Sequence, residues 1–153
     1  YNIPTLGHAK VIQDLLKDHD RVVAVLSPAE KNVDPNLRRL MFRNLLRKLG
    51  VDVSRVDLPS ESSTKVLERL VEEHGAEHVT IGLGQDRENV AKGVAKKYGI
   101  RSRVIDRPEG APSSTMMRGL IDSGDEEGLG KQYMNDSYLM RLAKQARENE
   151  KGR

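Results

Sequence analysis

The sequence predicts an α/β domain built on a doubly wound parallel sheet, and three observations predict it. Short apolar segments of strand length alternate with segments of helical periodicity along the chain. The apolar run at residues 22–26 is typical of a strand buried on both faces of a parallel sheet. The 153 residues fit one domain, and neither a repeat nor a linker interrupts them. Alternation of this kind favours parallel strands covered by helices on both sides.

Each predicted helix begins at a capping residue or a polar turn. The first follows Thr5 and carries apolar residues over 9–16. The second has Asp34 as its N-cap and Pro35 at its first position, and Gly50 ends it. The later helices begin near Ser62, before Val90, at Ser113 or Ser114, and at Asn135 or Asp136.

The predicted strands lie between these helices, at residues 21–26, 51–58, 79–83 and 102–106. In sheets of this class, ligands bind beyond the carboxyl ends of the strands. The polar or glycine-bearing segments that fall at this edge are residues 5–8, 27–32, 82–87 and 112–118. We therefore expect the functional site to be built from these segments.

Two further segments are predicted to be exposed to solvent. The second helix carries five cations, which we assign to a solvated face: Arg38, Arg39, Arg43, Arg47 and Lys48. The tail from Ala146 to Arg153 is polar, and we expect it to be frayed.

The composition argues against several classes of protein. The chain has 26 Lys and Arg against 23 Asp and Glu, and a net charge of +3 is small for a nucleic-acid-binding protein. No Trp and a single Phe make base-stacking platforms unlikely. The absence of Cys excludes a disulfide scaffold and thiolate metal sites. No apolar run approaches the ~20 residues that span a bilayer, and the first residues carry no secretory pattern, so we expect a cytoplasmic protein without a membrane partner.

The segment Pro4-Thr5-Leu6-Gly7-His8 opens the first helix. A helix N-terminus attracts phosphate through its backbone N–H groups and its dipole. Gly7 allows the backbone to approach a ligand closely, and Thr5 and His8 are spaced to point at the same ligand. The alternative is that Thr5 is only an N-cap and His8 a surface histidine.

A second segment, residues 112–118, places three hydroxyls at a helix start with an arginine one turn inside. The hydroxyls are those of Ser113, Ser114 and Thr115, and the cation is Arg118. Hydroxyls and amides can cradle phosphate oxygens, and arginine adds a bidentate cation. The alternative is an ordinary serine cap with a solvated arginine.

Together these segments resemble the nucleotidyltransferase superfamily that joins a nucleotide to a phosphorylated acceptor. Its first motif, a Gly-x-Phe-x-Pro turn leading to His/Thr-x-Gly-His, corresponds to residues 1–8, Tyr-Asn-Ile-Pro-Thr-Leu-Gly-His. Its late motif, Ile-Ser-Ser/Thr-Thr/Ser-x-x-Arg/Lys, corresponds to residues 112–118, Pro-Ser-Ser-Thr-Met-Met-Arg. Residues 27–31 are similar to the lysine-bearing loop of pantetheine-phosphate adenylyltransferases. Residues 84–87 are similar to the Gly-Ser-Asp-Arg segment of phage and nicotinamide-type enzymes.

The resemblance implies in-line attack by an acceptor phosphate on the α-phosphate of ATP, with release of pyrophosphate. The residues implied as catalytic are His8, Thr5, Lys31 and Arg118, and Gly7 is implied to bind the nucleotide. The residues implied at the β- and γ-phosphates are Ser113, Ser114, Thr115 and Arg118. Those implied at the nucleotide or the acceptor are Gly84, Asp86 and Arg87. Magnesium would accompany ATP and be held mostly by water, so we expect no metal ligands from the protein.

Several alternatives stay open. Nicotinamide mononucleotide is the expected acceptor, with phosphopantetheine transfer or a cytidylyltransferase as alternatives. A non-catalytic nucleotide-binding module of the same fold and a homo-oligomer are also open. The resemblance further implies a central first strand of about 5–10 residues upstream of Tyr1, which this sequence does not include.

Overall fold

The computed structural model of the chain describes residues 3–26, 33–106 and 111–152. The chain divides into two compact units, one formed by Tyr1–Ser60 with Pro108–Arg153 and the other by Glu61–Arg107. Each unit contains one two-stranded parallel sheet. The architecture is therefore mixed α/β, while the single-domain organisation stays a prediction.

The elements follow the alternation that the sequence predicts. The helices are α1 (Leu6–Leu15), α2 (Pro35–Lys48), α3 (Ser63–His74), α4 (Glu88–Tyr98), α5 (Ser114–Asp122), α6 (Glu126–Gln132) and α7 (Ser137–Glu150). The strands are β1 (Val22–Val23), β2 (Val56–Asp57), β3 (Thr80–Gly84) and β4 (Arg101–Ile105). Short 3₁₀ turns occupy Val53–Arg55, Ala76–His78 and Gln85–Arg87.

Over the residues that the structure describes, the strands form two separate pairs instead of one doubly wound sheet. In the first unit Val22 lies opposite Val56, and in the second Thr80 lies opposite Arg101. The first pair is shorter than predicted because the 3₁₀ turn at Val53–Arg55 occupies the start of the predicted strand. Backbone bonding nevertheless continues past it, since the Leu26 N–H donates to the Pro59 carbonyl at 2.8 Å.

The predicted helix starts agree with the caps in the structure. Asp34 accepts a hydrogen bond from the Asn36 N–H at 2.8 Å, and Pro35 occupies the first helical position of α2. Helix α6 has no counterpart in the prediction. It contains two glycines in seven residues, which gives it a weak intrinsic preference for helix. Burial of Leu129 holds it in place, which is a tertiary effect.

The core of the first unit is formed by side chains from α1, α2, α5, α6 and α7. Two predictions of exposure are wrong in this core. Arg38 is fully buried, although the sequence places it on a solvated face. Ala146 is also fully buried, and α7 continues to Glu150, so the tail is helical over most of the stretch predicted to be frayed. Small buried residues on α7, Ala143 and Ala146, allow that helix to pack against α2.

The second unit has its own smaller core. Val79, Ala95 and Ile100 are buried there, and apolar side chains of α3 pack around them. Among the helices in the described ranges, none has both the length and the apolar character needed to cross a bilayer.

Candidate functional site

The N-terminus of α1 is closed by a capping box between Thr5 and His8. The Thr5 backbone N–H donates to His8 Nδ1 at 3.1 Å, and the His8 backbone N–H donates to Thr5 Oγ1 at 3.5 Å. Thr5 has the extended backbone of an N-cap and is only 3% exposed. The reciprocal contacts satisfy two N–H groups that a helix start otherwise leaves without partners. They also hold the imidazole directly over the first turn.

This cap sets the hydrogen-bonding role of the His8 ring. A backbone N–H can only donate, so Nδ1 accepts from Thr5 and the ring hydrogen of the neutral imidazole lies on Nε2. The ring lies 6.2 Å from the ring of the buried Phe42, measured between centroids. His8 is therefore oriented as a donor through Nε2.

The N-terminus of α5 is capped by Ser113. Its Oγ accepts a hydrogen bond from the Met116 backbone N–H at 3.1 Å. The next two hydroxyl residues, Ser114 and Thr115, are exposed in the first turn. The cap predicted as the alternative is thus real for Ser113, whereas the other two hydroxyls face solvent.

The two helix starts are brought together through Gly7. A Cβ added to Gly7 would lie 3.0 Å from the Cβ of Ala111, which is tighter than an ordinary van der Waals contact. Ala111 precedes the Ser113 cap by two residues, so the first turn of α1 packs against the approach to α5. The sequence predicts a close approach at Gly7 to a ligand, and the neighbour found there is a segment of the chain itself.

A buried tyrosine that the sequence analysis does not single out supports the α1 side of the site. Tyr133 is fully buried, and its hydroxyl donates to the Pro4 carbonyl at 2.8 Å. Burial raises the pKa of the Tyr133 hydroxyl well above its usual range, so it remains a donor. No local pattern marks this residue, because its partner is distant in the sequence.

Arg118 is held by a carboxylate from α7. Its Nε lies 3.0 Å from Glu150 Oε1, and its Nη2 lies 2.7 Å from Oε2. The Glu150 side chain is 2% exposed and that of Arg118 is 24% exposed. The alternative of a solvated arginine is therefore wrong. Sequence reasoning misses Glu150 because it lies in the tail predicted to be frayed.

The same carboxylate binds a second arginine. Arg147 Nη1 lies 3.2 Å from Glu150 Oε1, and its Nε and Nη2 bind Asp122 at 3.0 and 2.7 Å. The hydrogen bond from Arg147 is the largest cause that lowers the pKa of the Asp122 carboxyl to about 2, and Lys151 lowers it further. These contacts join the end of α5 to the end of α7.

Three other predicted site residues lie in the second unit. Gly84 ends β3 in the second unit, and Asp86 and Arg87 lie exposed on the turn that follows. A Cβ added to Gly84 would lie 2.9 Å from Asp86 Oδ1, so the turn folds tightly over the glycine. They follow the carboxyl end of a parallel strand, as predicted. Lys31 lies outside the described residues.

Potential metal ligands are not gathered anywhere in the described part of the chain. No three His, Asp or Glu side chains there lie close enough together to hold a metal ion. A magnesium ion that accompanies ATP stays a prediction.

Comparison with known protein families, with curated proteins and with solved structures finds no match to this chain. Functional assignment therefore depends on the motifs and on the geometry of the first unit.

Proposed function

We propose that the chain is a nucleotidyltransferase that transfers AMP from ATP to a phosphorylated acceptor, with nicotinamide mononucleotide as the expected acceptor. The observation that supports this most directly is the packing of Gly7 against Ala111. It brings together the two helix starts that carry the Thr5-x-Gly7-His8 and Ser113-to-Arg118 motifs.

The electrostatics of two adjacent helix starts suit a triphosphate. Each start carries partial positive charge from its aligned peptide dipoles, and both α1 and α5 have uncharged first turns. A polyphosphate spanning both helices would meet backbone dipoles, exposed hydroxyls and a guanidinium.

We assign each side chain a role in the transfer from its position and its hydrogen-bonding groups. His8 would donate from Nε2 to the α-phosphate as negative charge develops there, and Thr5 would hold His8 in place. Ser114, Thr115 and Arg118 would bind the β- and γ-phosphates. Backbone amides of the turn that Ser113 caps would contribute to the same contact. An acceptor phosphate is already anionic, so the reaction needs positioning more than a general base. Lys31, Gly84, Asp86 and Arg87 are assigned to the reacting phosphates, nucleotide or acceptor by resemblance alone.

The doubly wound sheet and a cytoplasmic location belong to this proposal as well. The support is that parallel two-stranded sheets rarely stand alone, because their outer backbone groups need partners.

The decisive experiment measures pyrophosphate release with ATP or CTP against nicotinamide mononucleotide, phosphopantetheine and glycerol 3-phosphate, with magnesium present. The informative variant is His8→Gln, because glutamine at this position keeps the capping box while removing the imidazole. We expect turnover to fall by about 10²–10³-fold with ATP affinity retained. His74→Ala, at an exposed histidine on α3, is the matched control. Equal turnover of His8→Gln and wild type would contradict the role of His8.

A non-catalytic nucleotide-binding module is the second candidate. It is favoured by the fact that Arg118 and the Ser113 hydroxyl are already engaged in structural contacts. ATP binding without pyrophosphate release from any acceptor would support it over the enzyme.

A further inference from the structure

We infer that Glu150 is a positioning residue that fixes the Arg118 guanidinium on α5 for a phosphate ligand. This inference rests on the proposed function, because it assigns a purpose to the orientation of Arg118 at that site. It goes beyond the two motifs of the resemblance, neither of which includes Glu150.

The geometry of the pair restricts the guanidinium. Two of its nitrogens face the carboxylate, with Nε 3.0 Å from Oε1 and Nη2 2.7 Å from Oε2. A bidentate pair of this kind fixes both the plane and the direction of a guanidinium. An arginine side chain without such a partner would have to give up rotamer freedom each time it bound phosphate. Glu150 removes most of that cost before the ligand arrives.

Glu150 is itself held firmly enough to do this. Its side chain is 2% exposed, and Arg147 binds it from a second side at 3.2 Å. Arg147 is in turn fixed by two hydrogen bonds to Asp122 at the end of α5. The carboxylate therefore lies in a network that returns to the same helix that carries Arg118.

The opposite arrangement would be a carboxylate that competes with phosphate for Arg118. Competition would require Glu150 to withdraw when the ligand binds. The second arginine opposes that movement, because a buried carboxylate that left both cations would lose the partners that compensate its own charge. The network thus favours Glu150 remaining bound while Arg118 contacts phosphate.

The test compares binding of inorganic tripolyphosphate and of adenosine by calorimetry in wild type and three variants. Arg118→Gln removes the phosphate contact, Glu150→Gln removes the charge that positions it, and Asp122→Asn disturbs the same network without touching Arg118. We expect Arg118→Gln and Glu150→Gln each to weaken tripolyphosphate binding about tenfold, the size of one charge-assisted contact. Adenosine binding should be unchanged in both, and Asp122→Asn should weaken tripolyphosphate binding less than either of these variants.

Three other outcomes of this experiment would each overturn the positioning role of Glu150. If Arg118→Gln weakens tripolyphosphate binding but Glu150→Gln leaves it equal or tighter, the positioning role is overturned while the proposed phosphate site stands. If adenosine binding falls as much as tripolyphosphate binding in Glu150→Gln, the pair is only structural and the inference fails. If wild type does not bind tripolyphosphate, or Arg118→Gln has no effect, the phosphate site itself fails and the inference with it.

A measurement on the wild-type protein covers the case in which Glu150→Gln does not fold. The Nε–H resonance of Arg118, assigned by its loss in Arg118→Lys, should exchange slowly because it donates to Glu150. On addition of tripolyphosphate we expect the resonance to shift and to keep its slow exchange. Loss of that protection would show that Glu150 releases Arg118, which would overturn the inference.

Discussion

Gly7 on α1 and Ala111 before α5 approach so closely that a Cβ on the glycine would lie 3.0 Å from the Cβ of the alanine. The missing side chain is therefore what allows the two helix starts to lie together. Because the facing atom is a methyl carbon fixed to the backbone, it cannot swing aside as the tip of a long side chain could.

Gly7→Ala should weaken ATP binding while changing the unfolding free energy only slightly. Alanine favours the helix by about 1 kcal/mol over glycine, whereas the contact with Ala111 opposes it, so we expect a change in unfolding free energy within about 1 kcal/mol. Moving the helix starts apart should weaken ATP binding at least about fivefold, or roughly 1 kcal/mol. Urea unfolding and ATP titration measure the two effects.

The matched control for Gly7→Ala is Gly119→Ala on α5, where an added Cβ meets nothing within 4 Å. This change should stabilise the protein by up to about 1 kcal/mol without weakening ATP binding. Unchanged ATP binding in Gly7→Ala would contradict the proposed site.

Two of the hydroxyl residues at the start of α5, Ser113 and Thr115, should respond differently to substitution. Ser113→Ala removes the cap on the Met116 N–H, and we expect a loss of about 1 kcal/mol in unfolding free energy. Thr115→Ala removes an exposed hydroxyl, so its stability should stay within about 0.5 kcal/mol of wild type while ATP binding weakens. Thermal unfolding and ATP titration of both variants check this. Equal stability losses would show that both hydroxyls are structural.

Tyr133→Phe should destabilise the protein without removing any group proposed to touch the ligand. The change leaves the buried Pro4 carbonyl without its 2.8 Å donor, and we expect a cost of about 1–3 kcal/mol in urea unfolding. Tyr138→Phe, at a partly exposed tyrosine, should stay within about 0.5 kcal/mol of wild type. An unchanged unfolding free energy in Tyr133→Phe would mean that the hydrogen bond to the Pro4 carbonyl contributes no net stability.

The stability of the first unit should depend on pH through the Asp122 carboxyl. Its pKa is lowered from 3.8 to about 2 in the folded protein, first by the hydrogen bond from Arg147. A carboxyl with a lowered folded-state pKa contributes stability above its unfolded pKa and loses it as the pH falls. Unfolding free energy should therefore decrease between about pH 4 and pH 2, and Asp122→Asn should reduce that slope. Urea titrations at several acidic pH values measure it, and identical slopes in both proteins would exclude this role.

The alternation of elements could be predicted from the sequence because it depends on short-range patterns. Asp34 with Pro35 marks the start of α2, and the positive-φ Gly99 ends α4 where a glycine is needed. Helix α6 could not be predicted, because its glycines weaken the local preference and only burial of Leu129 holds it. The burial of Arg38 was missed for the same kind of reason, since no local pattern reports which face of α2 is covered.

The sequence by itself indicated the residues that we propose to bind phosphate: Thr5 and His8 at one helix start, and Ser113 to Arg118 at the other. Capping and spacing are local properties, so the chain carries them in its order of residues. Only the tertiary structure decided that Gly7 brings those starts together, that Tyr133 supports the first, and that Glu150 holds Arg118. These relationships join segments far apart in the chain, where packing and charge compensation, and not periodicity, determine which side chains meet.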